Sequence, residues 1–534
     1  MWFYFQYIFV DLFLRSYNEL SKMKKILSVL FVVFSFGVFA QEPARLSLQS
    51  YGGNFIDQVV PKPVKTADGG FIICISSNSD SNTGNLDSFC VEHGDRSIFV
   101  KYNSDASVIE WSKCYENSGD SFVMYAFPTN DGGLVLGGMF KSAVGEGFWI
   151  CKEDAAGNIV WRRNYSKGMG PLLRDMIATS DGGYMMTGVV YNTDTNFIVH
   201  GGDDIGIIMV DSLGNKVWSE AIGGSFNDEC EHVIETSSGY YVLADEISDD
   251  FDCTGNHGNY DAYLVRLDKQ GNIIWHRDLG GSGDDGAKGL ADYGNGTVIV
   301  AGATNSQDGD ISHPISLFDQ FWMMQIDSNQ NIVWDKCYGG GGGYCFPNSV
   351  CRALDGSIWT AGVSSSLGIG IDSAYGSTDA WILHTDSVGN FLNAKVLGSS
   401  GQDWAYIIHP LSNGAVLTGG YYEAHDRSFE SIDSFGYIDA FLAVFAPWAT
   451  SVPQISPTEN YIKVYPNPAT DVVNISSVKG FVATEIYSSV GLLMWKAVKA
   501  ENAQVKVADW PRGVYYVQMT DENAFRITKK LVVL

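Results

Sequence analysis

DAYLVRLDKQGNIIWHRDLGGSGDDGAKGLADYGNGTVIVAG, the stretch from Asp261 to Gly302, decides the fold. A first apolar run from Asp261 meets a turn at Lys269-Gln270-Gly271-Asn272, and a second ends near Trp275. A Gly-rich corner leads to a third run, then to the turn Asn295-Gly296 and a fourth run, Thr297 to Gly302. Short runs rich in Val, Ile, Leu and aromatics, bounded by turn residues, signal consecutive antiparallel strands.

The unit recurs. Its last turn begins at Asp68, Asp131, Asp181, Ser237, Asn295, Asp355 and Asn413, in steps of 63, 50, 56, 58, 60 and 58 residues. A Trp closes the second run at Trp111, Trp161, Trp218, Trp275 and Trp334, with Leu392 in the sixth copy. A repeated four-stranded sheet cannot bury both faces alone, so it must stack against its neighbours, and a ring of such sheets is a β-propeller. The seventh copy stops at Phe445-Ala446-Pro447 one strand short, while Arg45 to Gly53 (RLSLQSYGG) precedes the first copy and reads like the missing strand and corner. The pattern therefore predicts an all-β chain. A seven-bladed β-propeller over residues 41–447 is closed by its N-terminal strand, which removes an exposed sheet edge.

The chain has 534 residues and a formal net charge of −27, an acidic balance that argues against nucleic acid as a partner. Met23-Lys24-Lys25, an apolar run from Ile26, and small residues Val38 and Ala40 give residues 23–40 the form of a secretory signal peptide. Residues 1–22 then read as an extension upstream of the true start. No other stretch has the length of apolar sequence needed to span a bilayer. Of nine cysteines, Cys230 and Cys253 fall on one face of the fourth copy and are the expected disulfide. Cys337 with Cys345 and Cys74 with Cys90 are further pairings, and for each pair two buried thiols are the alternative.

Residues 448–460 are rich in Pro, Ser and Thr and read as a linker, and alternating short strands over 461–534 predict a compact β-sandwich of immunoglobulin-like form. This segment contains Tyr465-Pro466-Asn467-Pro468-Ala469-Thr470-Asp471, then Ile486-Tyr487 through Gly491, then Gly513-Val514-Tyr515-Tyr516-Val517, and ends in Lys529-Lys530-Leu531-Val532-Val533. On those motifs it resembles the C-terminal sorting domain of the type IX secretion system. The resemblance implies that the secretion machinery of a Gram-negative bacterium is a partner, and that the chain is secreted or attached to the outer membrane at the cell surface. The ring, through His257-Gly258-Asn259-Tyr260-Asp261 to Trp275, resembles secreted propellers that carry this tail, which brings no reaction with it.

Three sets of Asp residues are expected on one face of the ring. The corner set, Asp57, Asp228, Asp285 and Asp403, is expected as carboxylates at the channel mouth. The long loops bring Asp80-x-Asn82-x-Gly84, Asp87 and Asp250-x-Asp252-x-Thr254, whose alternate spacing suits calcium, a cation that takes six to eight oxygen ligands. The alternative is that each Asp caps a tight turn. The third set, Asp204, Asp261, Asp379 and Asp439, follows His200, His257, Tyr375 and Phe435 by four residues. Tyr and Phe at the His position argue for turn and packing roles rather than zinc ligation. No H-E-x-x-H, G-x-S-x-G, P-loop or C-x-x-C motif occurs. The sequence thus predicts a surface binding or adhesion module for a glycan or protein. A hydrolase using carboxylates at the channel mouth is the second reading.

Overall fold

The computed structural model describes residues 45–59, 62–80, 83–90, 95–117, 121–142, 145–168, 172–191, 197–339, 343–365, 375–446, 462–477, 483–488, 493–498, 502–520 and 526–534. The expected signal peptide, the residues upstream of it and the expected linker lie outside these, as does Asn82; of Asp87 the backbone alone is described. The chain divides into two compact units, 1–448 and 449–534. Among the described residues there is no α-helix, and so no helix long and apolar enough to cross a membrane.

In the first unit seven sheets follow one another, each of four antiparallel strands. Their first, innermost strands are Asp57–Val59, Ser121–Pro128, Leu172–Ala178, Asp228–Thr236, Asp285–Gly294, Cys345–Arg352 and Asp403–Pro410, and we number the blades one to seven in this order. Blade one also holds the short strand Val64–Lys65. The ring closes as the repeat count demands: Arg45–Tyr51 pairs with Asp439–Phe445 as the outer strand of blade seven.

Each middle strand is apolar on both faces because each face meets a different neighbour. In blade four Val242 and Ala244 pack with Ile205 and Ile207 of blade three, while Tyr241 and Leu243 pack with Val298, Val300 and Trp322 of blade five. The turns that hold this stack are built alike. Asp268 accepts the backbone N–H groups of Gln270 and Asn272, each at 2.9 Å, and the side-chain amide of Asn272 at 2.8 Å; Asp211, Asp327 and Asp386 repeat the pattern. The turn then needs a left-handed residue, Gly271 at φ 90°. A Cβ there would lie 2.8 Å from the indole of Trp218 in the preceding blade, and Gly214 and Gly389 meet Trp161 and Trp334 in the same way. The repeated Trp is thus an interblade wedge.

The cysteines pair differently from the sequence expectation. The disulfide among the described residues joins Cys90 to Cys114, and Cys230, Cys253, Cys74, Cys337 and Cys345 are buried and form no disulfide. Cys90 and Cys114 share the core toward blade seven, whereas Cys74 is on the opposite sheet face, toward blade two. Cys253 sits level with Asp228; Cys230 is two residues along the strand, a step of about 7 Å.

The second unit is a sandwich of a three-stranded sheet containing Ile462–Tyr465, Val472–Ser477 and Asn502–Lys506 and a four-stranded one containing Leu493–Val498, Ala483–Ser488, Gly513–Thr520 and Arg526–Val533. Val473, Ile475, Ile486, Val517 and Leu531 fill its core.

Candidate functional site

The four corner carboxylates do not face the channel. Asp57, Asp228, Asp285 and Asp403 are fully buried beneath the corners. Each accepts a backbone N–H from four residues earlier, Gly53, Gly224, Gly281 or Ser399, at 2.6–2.8 Å. Each also accepts a serine hydroxyl, from Ser79, Ser248, Ser306 or Ser399. The third-strand carboxylates are caps of the same kind: Asp204, Asp261, Asp379 and Asp439 accept the N–H of His200, His257, Tyr375 and Phe435 at 2.7–2.9 Å. This explains why that ring position tolerates His, Tyr and Phe, since its backbone does the capping. Burial raises Asp204 to about 6 and Asp403 to about 7, and raises Asp57, Asp261, Asp285, Asp379 and Asp439.

The loop carboxylates tie the loops to the corners. Asp250 accepts the N–H of Ser225 at 2.7 Å, as Asp308 does that of Ser282 and Asp426 that of Ser400. Asp80 accepts the side-chain amide of Asn54 at 3.0 Å. Asp252 lies 3.7 Å from His200 Nδ1. The calcium-ligand candidates Asp80 and Asp250 are therefore placed in different blades as turn partners.

What faces the channel is set by a β-bulge in each inner strand from blade two to blade seven. Pairing skips one residue between Val123 and Tyr125, Leu173 and Asp175, Cys230 and His232, Ala287 and Gly289, Pro347 and Ser349, and Ala405 and Ile407. A bulge turns the extra side chain away from the sheet face. The skipped residues are Met124, Arg174, Glu231, Lys288, Asn348 and Tyr406, each half-buried. Two residues nearer the corner, Glu229, Phe346 and Trp404 are likewise half-buried.

These tiers give the channel two unlike walls. Blades three to five supply charge: Arg174 bonds Glu229 at 2.7 Å and Lys288 lies 3.5 Å from Glu231. Blades six and seven supply rings. Tyr344 stands against Phe346 at 6.1 Å and Trp404 at 6.2 Å between centroids, and Trp404 against Tyr406 at 5.9 Å and Tyr421 at 6.3 Å. Lys288, 5.5 Å over the Phe346 ring, joins the walls. Behind the charged wall Asp245 accepts the N–H of Ala287 at 2.8 Å. Gly286 has no side chain to cover it. Burial, with the Glu231 charge second, raises Asp245 to about 8.

On the opposite side of this tier the channel holds a cavity of about 510 Å³, bordered by Lys62, His232, Glu235, Asp292, Arg352 and His409. Lys62 reaches from blade one across to bond the buried Asp175 and, at 2.9 Å, the carbonyl of Val233. His232 Nδ1 is 3.1 Å from the same carboxylate. Burial would raise Asp175, but the Lys62 charge and the His232 contact bring it below its ordinary value.

In the second unit the sorting motif folds onto the last strand. Asn467 donates to the carbonyl of Lys530 at 2.7 Å and accepts the N–H of Val532 at 2.8 Å. The carbonyl of Asp471 accepts from Val507, and Tyr515 donates to Pro511. Tyr465, Lys529 and Lys530 are exposed, and Gly513 is in extended backbone. Pro466 and Pro468 both follow cis peptide bonds.

The channel residues escaped sequence reasoning, although a signal exists. In five of the six bulged copies the skipped residue stands three after the first residue of the inner strand, as Glu231 follows Asp228 and Lys288 follows Asp285. Polar or bulky residues recur there.

Comparison with known proteins adds the tail's identity. Residues 463–534 match the family described as the secretion system C-terminal sorting domain, so the chain is cargo of the type IX secretion system, delivered to the cell surface or secreted. An endo-acting ulvan lyase of Formosa agariphila is 29% identical over 208 residues, which cover 32% of this chain and 40% of that enzyme. The match thus spans about two fifths of the relative's length. Among solved structures, the β-propeller domain of the Trilobed protease from Pyrococcus furiosus covers 69% of this chain and 91% of its own at 9% identity and a TM-score of 0.37. Drosophila Plexin A, solved in complex with Semaphorin 1b, covers 76% and 88% at 9% identity and a TM-score of 0.39.

Proposed function

We propose that this exported propeller is a glycan-binding module whose ligand enters the corner-side mouth of the channel. The observation that supports it is the pairing of an aromatic wall, Tyr344, Phe346, Trp404 and Tyr406, with a wall of charged hydrogen-bonding groups, Arg174, Glu229, Glu231 and Lys288. A sugar ring has an apolar C–H face and a polar rim. The first stacks on aromatic rings and the second needs convergent donors and acceptors. A rigid ring with residues re-aimed by bulges holds such groups without further ordering on binding.

The test is binding of the full-length protein to immobilised acidic and neutral glycans, beside Trp404→Ala and Lys288→Ala. Loss of one ring should weaken binding by roughly 1 kcal/mol, about fivefold in Kd. Equal binding by both variants to every glycan retained by the parent would reject the site.

A second reading, hydrolysis or elimination on a polysaccharide, rests on one observation. Asp245, raised to about 8, stands beside the Glu231 charge that helps raise it. Two carboxyls whose environments separate their protonation states are the arrangement of a general acid and a general base. The similarity to an ulvan lyase points the same way. New reducing or unsaturated ends released from a bound glycan, and lost in both Asp245→Asn and Glu231→Gln, would favour this reading over the binding module.

A further inference from the structure

The corner between blades three and four lacks a hydroxyl that three other blades place beside theirs. Directly opposite the first residue of the inner strand, the second strand places Ser77 in blade one, Thr304 in blade five and Ser364 in blade six. In blades one and five that hydroxyl hydrogen-bonds the corner Asp. In blade four the position opposite Asp228 is Glu246, an acceptor where a donor is wanted. Glu246 is fully buried and neither of its carboxyl oxygens has a hydrogen-bond partner. The loop that follows brings in the buried thiol of Cys253, and one ligand atom from each of Asp228, Glu246 and Cys253 lies within 4.8 Å of the other two.

Two buried carboxyls this close must be relieved by a proton or a cation. We propose that Asp228, Glu246 and Cys253 bind one zinc-like divalent cation that fastens the blade-four loop to the corner between blades three and four. The thiol selects the metal class. Calcium takes oxygen ligands, whereas zinc combines Cys sulfur at about 2.3 Å with carboxylate oxygen at about 2.0–2.2 Å. A tetrahedral centre of that size needs ligand atoms about 3.5 Å apart, so small side-chain rotations close the site.

The surroundings orient the ligands. Asp228 is fixed by Gly224 N–H at 2.7 Å, Ser248 Oγ at 3.0 Å, and the N–H groups of Ile247 and Ser248 at 3.3 Å, the outer bonding that metal-ligating carboxylates use. Cys253 is held in a tight turn by its N–H bond to the Asp250 carbonyl at 3.0 Å. Phe251 inside that turn adopts φ 53°, a conformation that costs a non-Gly residue energy and marks a position fixed from outside. Tyr263 anchors the turn by donating to the Asp252 carbonyl at 2.5 Å.

The test uses the full-length protein stripped with chelator and titrated with Co²⁺ alone, then with Zn²⁺ in competition. The expected result is one equivalent bound, with a thiolate-to-cobalt charge-transfer band that Zn²⁺ abolishes. Cys253→Ser should lose the band, and Glu246→Gln should weaken Co²⁺ binding at least about tenfold while keeping it. Cys230→Ser, which removes a buried thiol outside the set, should leave band and affinity unchanged. No band in the parent protein, or an unchanged band in Cys253→Ser, overturns the proposal. So does a parent that binds no metal while metal-free Glu246→Gln melts at or above the parent temperature, the signature of a shared proton. If Cys253→Ser does not fold, the parent titration and Glu246→Gln decide.

Discussion

Gly271 shows how a single residue ties two blades together. At φ 90° and with the Trp218 indole 2.8 Å from where a Cβ would stand, Gly271→Ala incurs both left-handed backbone strain and overpacking. The two together amount to roughly 2–4 kcal/mol, measurable as a lower midpoint in chemical denaturation. A loss below about 0.5 kcal/mol would mean that the wedge is not tight. Lys62 is a second such residue. Removing its charge as Lys62→Met leaves the Asp175 carboxylate buried with His232 as its remaining side-chain partner. The expected cost is about 3–5 kcal/mol, and Lys62→Met with Asp175→Asn should recover much of it. Sequence alone could not show this pair, because Lys62 and Asp175 are joined only by the curvature of the ring.

At the scale of strands, the repeat was legible and its exceptions were not. Alternating turn and apolar run marked every blade, and the surplus strand at Arg45 identified how the ring closes, as its pairing with Asp439–Phe445 shows. Deleting Arg45–Tyr51 should expose the edge of that strand and lead to association or misfolding, read by size-exclusion chromatography and melting temperature. A deletion variant that stays monomeric with unchanged melting would contradict closure by this strand. The corner aspartates are buried caps rather than carboxylates at the channel mouth. A repeated polar residue in a strand reads equally well as a ligand or as a cap, and only partners such as Gly281 N–H and Ser306 Oγ decide. The bulges escaped because a single skipped residue shifts which side chain faces the channel without altering composition.

The whole molecule is strongly acidic and holds many carboxyls indoors, which gives its stability an unusual pH dependence. Burial raises Asp204 to about 6, Asp278 and Asp403 to about 7 and Asp245 to about 8, against roughly 4 in an unfolded chain. Between those values the folded state binds more protons than the unfolded state, so stability falls as pH rises from about 4 to about 8. Turn aspartates act oppositely. Asp68, lowered to about 2 by hydrogen bonds from Thr66 and Lys101, and Asp268, lowered by Asn272, contribute stability that is lost below about pH 4. In chelator, the melting temperature should therefore be higher at pH 5 than at pH 8. The reverse order would mean that the buried acids are ionised and neutralised by another means.

The channel mouth is the proposed ligand site, and footprinting of the bound state tests it most directly. Full-length protein would be oxidised by hydroxyl radicals with and without a glycan identified by the binding screen, and side-chain modification read by mass spectrometry. Protection is expected at Tyr344, Phe346, Trp404 and Tyr406, with Tyr293 and Phe318, which lie outside the channel wall, unchanged. Protection confined to the outer loops or to the cavity around His232, with Trp404 oxidised as fast as in the free protein, would contradict it.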